Sequence, residues 1–442
     1  MPPSQKLFIT KTIFFLAIMS EKTKKILVVS SYAPPSIGGP QMLYNLLKDF
    51  PADSYSVLTS YYNIDDISAA KGTWLAGEYV FYDNPKGSKE ARKAEAGMAD
   101  KKRGLSGKVQ KLKLIMKRIS FVRVLAGMPV ILAQVFAIVR SGRKAVKKFQ
   151  SEIILGISDY GPAVLGSYVL HKITGRPLYL FMFDLYKGNF FPFPGGLLAT
   201  LFEKKIFKSA RLIIVNNEGT RNFYQKFYGE EISKKIVIVH NSIFPETYQS
   251  PARAAKKNSP PYTILFTGRV NWPQLGAIKN LVEAVNGMDD VIFKLYSPMP
   301  KEHINNIGIF ESKKVQFSFA PPQDMPKVQS EADILFLPLS WRTQSQAIID
   351  TATPGKLTDY LIAGKPMLVH APASSFLVKY ATENNFASVV AEENIESLRQ
   401  AIRKLISDEK FARELVDNAQ VTFERNHDAN KSAAIFRKIF SL

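Results

Sequence analysis

At 442 residues, with 46% apolar and 22% charged residues, the chain has the length for two domains of about 200 residues, each with its own core, and a composition that excludes global disorder. It contains no cysteine, which rules out disulfides, thiolate metal sites and a cysteine nucleophile; its five histidines (His171, His240, His303, His370 and His427) lack metal-ligand spacing, so no metal is expected. The formal charge of +21 is concentrated: residues 86–148 hold 18 Lys/Arg against Glu90, Glu95 and Asp100, a local net of +15 that implies an anionic partner. Charge alone leaves nucleic acid, a membrane surface and an acidic substrate open.

Residues 1–24 read as an N-terminal extension. Leu7-Phe8-Ile9 and the apolar run 13–19 look faintly like a signal or anchor, but Lys11 interrupts them and no small-residue cleavage site follows. A misassigned start is the plainer reading, since Met19-Ser20-Glu21-Lys22 would be an ordinary cytosolic beginning. The uncharged stretch 124–139 contains Gly127 and Pro129 and is too short to span a bilayer.

Short apolar runs then alternate with amphipathic, helix-length segments, the pattern of parallel α/β sheets. Strands are predicted at 25–30, 56–59, 78–82, 153–157, 177–181, 212–215 and 236–239, with helices at 129–149, 161–174 and 218–228 among them. This makes a first Rossmann-like domain over 25–243. Residues 244–261, with Pro245, Pro251, Pro260 and Pro261, read as a linker. A second domain over 262–426 has strands at 263–267, 291–296, 315–317, 334–337 and 367–369, a helix at 276–286 and paired helices at its end. The final segment 427–442 has helical spacing. No internal repeat is present.

Three places invite a phosphate. After the first strand comes Ser36-Ile37-Gly38-Gly39-Pro40, where glycines let backbone approach a ligand closely, although the pattern is not G-x-G-x-x-G. After the first strand of the second domain comes Phe266-Thr267-Gly268-Arg269-Val270, whose guanidinium suits two phosphate oxygens. The third is Thr353-Pro354-Gly355-Lys356-Leu357-Thr358-Asp359-Tyr360, closed by Gly364-Lys365-Pro366. Pro354 and Gly355 suit a helix start, where free amides accept an anion; Asp359 falls one turn on, within reach of a sugar hydroxyl; and Gly364 to Pro366 stop the helix.

In this order the motifs resemble the two-domain B-fold glycosyltransferases, especially the retaining family 4, whose P-x-K-x-x-E-Y-x-x-x-G-K-P pattern has an acid where Asp359 stands. The resemblance runs from about residue 25 to residue 440, taking in Asn216-Asn217-Glu218-Gly219 and His240-Asn241-Ser242. It implies an α/β protein of two Rossmann-like domains facing a central cleft, with the last helix returning to the first domain. It further implies a hexosyltransferase-like enzyme that moves a sugar from a nucleotide diphosphate-sugar, with no metal or other cofactor. On this reading Gly38, Gly39, Arg269, Gly355, Lys356 and Leu357 hold the donor diphosphate, and Asp359 holds the ribose. Thr351 stands where the family places the acid beside the transferred sugar, with Asp350 adjacent. The family's second phosphate-binding lysine is missing from Pro273-Gln274-Leu275-Gly276, and Lys356 or Lys279 is the replacement. The run 179–186 resembles a strand ending in H-D-L-W; Phe183 takes the histidine place, while Asp184 is retained, to orient or deprotonate an acceptor hydroxyl or merely to cap the loop.

Within 86–128, Lys111, Lys113, Lys117 and Arg118 are interleaved with Leu112, Leu114, Ile115, Met116 and Ile119, which suits an amphipathic helix on an anionic membrane surface. Aromatic residues are too few there for a base-stacking platform, so no nucleic-acid partner is expected. The combined expectation is a cytoplasmic enzyme at the inner face of the membrane, acting on a lipid-linked or membrane-proximal glycan. The alternatives are a degenerate B-fold member that binds glycan or a partner without turnover, motivated by the altered Glu, Lys and His positions, and a basic nucleic-acid-binding protein.

Overall fold

A computed structural model describes residues 24–34, 39–60, 74–82, 109–158, 161–189, 195–248 and 259–441, with side chains of the helix Val109–Phe149 from residue 127 onward. The expectations for residues 1–23, Gly38, 86–108 and 249–258, and for the side chains of Lys111, Lys113, Lys117 and Arg118, lie outside the described residues. The chain divides into two compact units: residues 1–186, 191–214 and 433–442 form one, and residues 187–190 and 215–432 the other.

The first sheet consists of β1 (Ile26–Val29), β2 (Tyr55–Ser60), β3 (Glu78–Tyr82), β4 (Ile153–Ile157), β5 (Leu178–Met182), β6 (Leu212–Val215) and β7 (Ile236–Ile238), in the order β3-β2-β1-β4-β5-β6-β7. Val28 pairs in parallel with Val57 on one side and Leu155 on the other. Every side chain of β1 is fully buried, as a central parallel strand covered on both faces requires, and this is why it reads as an unbroken Ile-Leu-Val-Val run. The second sheet consists of β8 (Tyr262–Thr267), β9 (Val291–Tyr296), β10 (Val315–Ser318), β11 (Ile334–Pro338), β12 (Met367–His370) and β13 (Ser388–Val390), in the order β10-β9-β8-β11-β12-β13. All five of its neighbouring strand pairs are parallel too. Both sheets reverse direction of strand addition once, beside β1/β4 in the first and β8/β11 in the second. At such a switch point the two connecting loops leave in opposite directions and open a crevice at the strands' carboxyl ends.

The two parallel sheets with their interleaved helices stand as the sequence leads one to expect, with three local differences in the elements. The helix expected from residue 129 begins at Val109 and carries Pro129 in its interior. The helix expected from Gly276 begins at Trp272, because Gln274 Oε1 accepts the Asn271 N–H at 3.2 Å and closes the first turn. The Pro-rich stretch 244–261 is packed where it starts: Pro245–Tyr248 form a 3₁₀ turn, and Tyr248, only 6% exposed, joins the core under β11 and β12. Among the described residues no helix is long and apolar enough to cross a membrane.

The last helix, Ala429–Phe440, binds the first unit through aromatic rings. Phe436 lies 5.9 Å from Phe50 and 5.9 Å from Phe181, and Phe440 lies 5.5 Å from Tyr179. Arg437 adds a 2.7 Å hydrogen bond to the Asp49 carbonyl. Phe436 is fully buried, so Phe436→Ala leaves a cavity and is expected to lower stability by about 3–5 kcal/mol, read by denaturant unfolding. A loss under 1 kcal/mol would show that this helix is not part of the first unit's cooperative core.

Candidate functional site

In the second unit the crevice is built around the end of β8. Gly268 turns out of the strand at φ +106, a conformation L side chains rarely adopt, while its N–H stays bonded to Tyr296 O at 2.8 Å. Arg269 follows and is exposed, and the Val270 N–H is taken by Met299 Sδ at 3.3 Å. Across the switch point, Ser340 clamps the loop after β11 to the first turn of the helix Trp272–Asn286. Its N–H donates to Pro273 O at 2.7 Å, and its Oγ accepts from the Gly276 N–H at 2.9 Å.

The helix Lys356–Ile362 completes this wall. Gly355 opens it and Gly364, at φ +69, ends it, as the motif predicts. Lys356, Asp359 and Tyr360 fall at i, i+3 and i+4 and so share one face. Tyr360 is fully buried, and its hydroxyl accepts the Thr267 N–H at 3.0 Å and meets Thr267 Oγ1 at 3.1 Å. That pair holds the helix against the last residue of β8. Lys356 is thereby brought over the Phe266 ring, its Nζ 4.1 Å from the centroid. A Cβ on Gly268 would lie 3.7 Å from Lys356 Cε and 3.9 Å from Nζ. Lys279, the other residue weighed as the replacement lysine, points elsewhere, with Nζ 3.0 Å from the Cβ position of Gly308.

Lys356 and Asp359 are half-buried as residues, and the protein packed around their charged ends shifts both. Desolvation lowers Lys356 to about 8 against the opposing attraction of Asp359. Desolvation raises Asp359 to about 6, while the Tyr248 hydroxyl and the Lys356 charge pull it back down. Sequence reasoning missed Tyr248 here, because in a Pro-rich stretch nothing in its neighbours marks it as buried.

The remaining expected residues differ in what their groups are free to do. Gly355 is exposed at the helix start, but Leu357 is buried and its N–H already donates to Pro354 O at 2.9 Å. Thr351 is 6% exposed, and its hydroxyl donates to Ala347 O at 2.8 Å. Its neighbour Asp350 accepts from Gln346 Nε2 and Ser374 Oγ, each at 2.8 Å. Asn217 caps the helix Glu218–Tyr228 through the Thr220 N–H and ties it to Thr351 O and Thr353 Oγ1 at 2.9 and 2.8 Å. His240 pairs with Glu218 at 3.1 Å, while buried His427 bonds Asn241 O at 2.7 Å and Tyr380 Oη at 3.0 Å. These strand-end elements act as braces.

In the first unit, Gly39 begins the helix Gly39–Leu47 and comes close to Phe183: a Cβ there would lie 3.4 Å from the ring. Phe183 packs on Phe181 with centroids 4.1 Å apart and offers no proton-transfer group. Asp184 is exposed, with its N–H donated to Ser158 Oγ at 3.2 Å; although it reaches solvent, protein lies around enough of its carboxyl to raise its pKa. Among the described residues no cluster of His, Cys, Asp and Glu could hold a metal.

No protein-family model matches the chain, and no curated protein matches its sequence. Solved structures do match. HepE of Anabaena, in a crystal structure with UDP and glucose, is 14% identical with a TM-score of 0.61, over 94% of this chain and 99% of HepE. The sucrose-phosphate synthase of Thermosynechococcus elongatus is 12% identical with a TM-score of 0.62, over 94% and 98%. The lipopolysaccharide outer core galactosyltransferase WaaB is 15% identical with a TM-score of 0.56, over 94% and 99%. At these identities the likeness shows the fold, the two-domain glycosyltransferase B fold, and function has to be argued from the site.

Gly268 is the backbone feature on which this wall turns. Gly268→Ala forces an L residue into the left half of conformational space, and is expected to lower stability by about 1–3 kcal/mol in denaturant unfolding. An unchanged midpoint would mean the loop relaxes freely and holds no fixed geometry.

Proposed function

We propose that the protein is a glycosyltransferase that takes a sugar from a nucleoside diphosphate-sugar. The observation that carries this reading is Lys356, whose side chain lies over Phe266 and beside Gly268 at the end of β8, where Arg269 follows in the chain, with Asp359 one turn along the same helix as Lys356. Two cations beside a backbone that bears no Cβ suit a diphosphate, and a carboxylate nearby suits the paired hydroxyls of a ribose. Lys356 supplies the second cation that the loop after β8 lacks. Crystal structures of HepE hold UDP and glucose, and UDP-glucose, which supports a nucleotide-sugar donor for this fold.

In the reaction we infer, the bond between the sugar's anomeric carbon and the diphosphate oxygen breaks, and the acceptor hydroxyl oxygen bonds to that carbon. The hydroxyl proton passes to the departing phosphate oxygen. Arg269 and Lys356 stabilise the negative charge that develops on the diphosphate, usually the largest contribution to such catalysis. This route needs no protein nucleophile and gives retention of configuration. Asp184 orients the acceptor hydroxyl. A second reading, binding without turnover, is favoured by Phe183, whose ring cannot transfer a proton; production of free nucleoside diphosphate by the purified protein excludes it.

We further propose a lipid-linked or membrane-proximal glycan as acceptor, approached from the inner face of the membrane. The support is the +15 concentrated over residues 86–148 and the interleaving of Lys111, Lys113, Lys117 and Arg118 with apolar residues on a helical backbone. WaaB, named as a lipopolysaccharide galactosyltransferase, shares the fold.

Calorimetric titration with UDP-glucose, GDP-mannose and ADP-glucose tests the donor site. Arg269→Ala and Lys356→Ala are each expected to weaken the nucleotide that binds by roughly 10- to 100-fold, the effect of a lost charge-assisted contact. Binding should be strongest between about pH 6 and about 8, because Asp359 gains a proton below that window and Lys356 loses one above it. Full affinity in both variants would remove the site from the end of β8. Flotation with anionic vesicles tests the membrane: replacing Lys111, Lys113, Lys117 and Arg118 with Gln should weaken it at least about tenfold, at about 1 kcal/mol per charge, and undiminished flotation would place the contact elsewhere.

A further inference from the structure

We propose that the outer faces of the helices Val109–Phe149 and Gly195–Ser209 together dock on an anionic lipid bilayer. Leu132, Phe136, Leu197 and Leu201 dip below the headgroups, and the basic end of each helix rests on them. This rests on the reading that the protein works at a membrane, and it supplies the face and the tilt.

Both helices run into the amino ends of strands of the first sheet. The Glu152 N–H donates to Lys25 O at 2.7 Å where β4 begins beside β1, and the Arg211 N–H donates to Leu178 O at 2.8 Å where β6 begins beside β5. Phe149 and Ser209 therefore lie at the strands' amino ends, and the earlier turns of each helix lie toward the carboxyl ends. The helix Pro162–Thr174 packs against both. Its contact with the first is close: a Cβ on Gly142 would lie 2.6 Å from Leu170 Cδ2, and one on Gly166 would lie 2.7 Å from Ile138 Cγ2.

On each of the two helices one stripe reaches solvent. Leu132, Phe136, Arg140, Arg143 and Lys147 recur every three or four residues and are all exposed; so are Leu197, Leu201, Lys204 and Lys208. In both stripes the apolar residues come first and the cations follow. At 1.5 Å per residue, Phe136 stands about 20 Å and Leu197 about 18 Å from the ends of their helices, against about 9 Å for Arg143 and about 8 Å for Lys204. Two helices of unrelated sequence thus carry one ordering at one level, unlike apolar residues scattered singly over a surface.

The charge of this layer is one-sided. Residues 127–149, 162–174 and 195–209 hold nine Lys/Arg and a single acid, Glu203, which is buried. Lys148 is paired with Glu78, and neither exposed stripe contains an acid. A cationic face suits any polyanion, but here the apolar side chains are set apart at one end, with Phe136 67% and Leu201 57% exposed. That separation matches a bilayer, whose charge lies at its surface and whose apolar interior lies beneath. A nucleic acid would call for aromatic side chains among the cations, and Phe136 is the one aromatic residue in the two stripes. Docked this way, the carboxyl ends of the first sheet tilt toward the bilayer; Gly39 and Asp184 follow β1 and β5 at that end.

Flotation with phosphatidylcholine vesicles, with and without phosphatidylglycerol, tests the face. Lys204→Gln combined with Lys205→Gln and Lys208→Gln should weaken binding to the anionic vesicles at least about tenfold, and so should Phe136→Glu combined with Leu201→Glu. Because the chain has no cysteine, Phe136→Cys and Lys147→Cys can each carry an environment-sensitive dye. Its emission should shift to the blue on anionic vesicles at position 136 and stay water-like at position 147. Undiminished flotation of both multiple variants, or the same dye response at the two positions, overturns the proposal and leaves the membrane reading standing. Salt-dependent binding to duplex DNA or RNA that the Gln variant loses, with no dye shift on vesicles, also overturns it and assigns the face to nucleic acid. Failure of the wild type to float would instead remove the membrane reading on which it rests.

Discussion

The hydrogen bonds of Tyr360 to Thr267 are the constraint around which the second unit's site is arranged. They join a seven-residue helix, too short to be stable alone, to the last residue of a central strand. A buried hydroxyl left without a partner costs about 1–3 kcal/mol, so the pairing fixes the helix position rather than merely permitting it. Once Tyr360 is fixed, the helical repeat fixes Lys356 one turn before it and Asp359 beside it. Lys356 can then lie only across Phe266 and Gly268, which is where the strand has turned out through a conformation available to glycine.

This arrangement assembles its charges at a cost in solvation. Lys356 is pushed toward neutrality and Asp359 toward protonation by the same burial that holds them, and each partly restores the other's charge. An anion entering beside Lys356 favours its charged form, so binding and ionisation reinforce one another. In the reaction we propose, the same desolvation makes electrostatic stabilisation of the leaving diphosphate stronger than it would be in water.

Much of this was legible in the chain. The unbroken apolar runs of β1 and β11, the glycine after β8, and the Pro-Gly start and Gly-Lys-Pro stop around Asp359 each carry a local physical signal, and each sits where that signal predicts. Local rules failed where packing outweighed them. Pro129 lies inside a helix because the flanking residues propagate it on both sides. Thr351, expected beside a bound sugar, has its hydroxyl bonded to its own helix, a contact no spacing in the sequence reveals. Tyr248 lies in a proline-rich stretch and is nonetheless core.

By itself, the sequence determined two parallel α/β units, the basic concentration over residues 86–148, and the strand-end loops in which a phosphate could be held. Those features follow from period, composition and glycine content, all of which act over a few residues. Only the tertiary structure decided that Lys356 rather than Lys279 lies beside Gly268 and that Tyr360 anchors the helix to β8. Those residues lie about 90 positions apart in the chain. Contacts at that separation exist because sheet order places β8 next to β11, and no local property of either segment encodes that order.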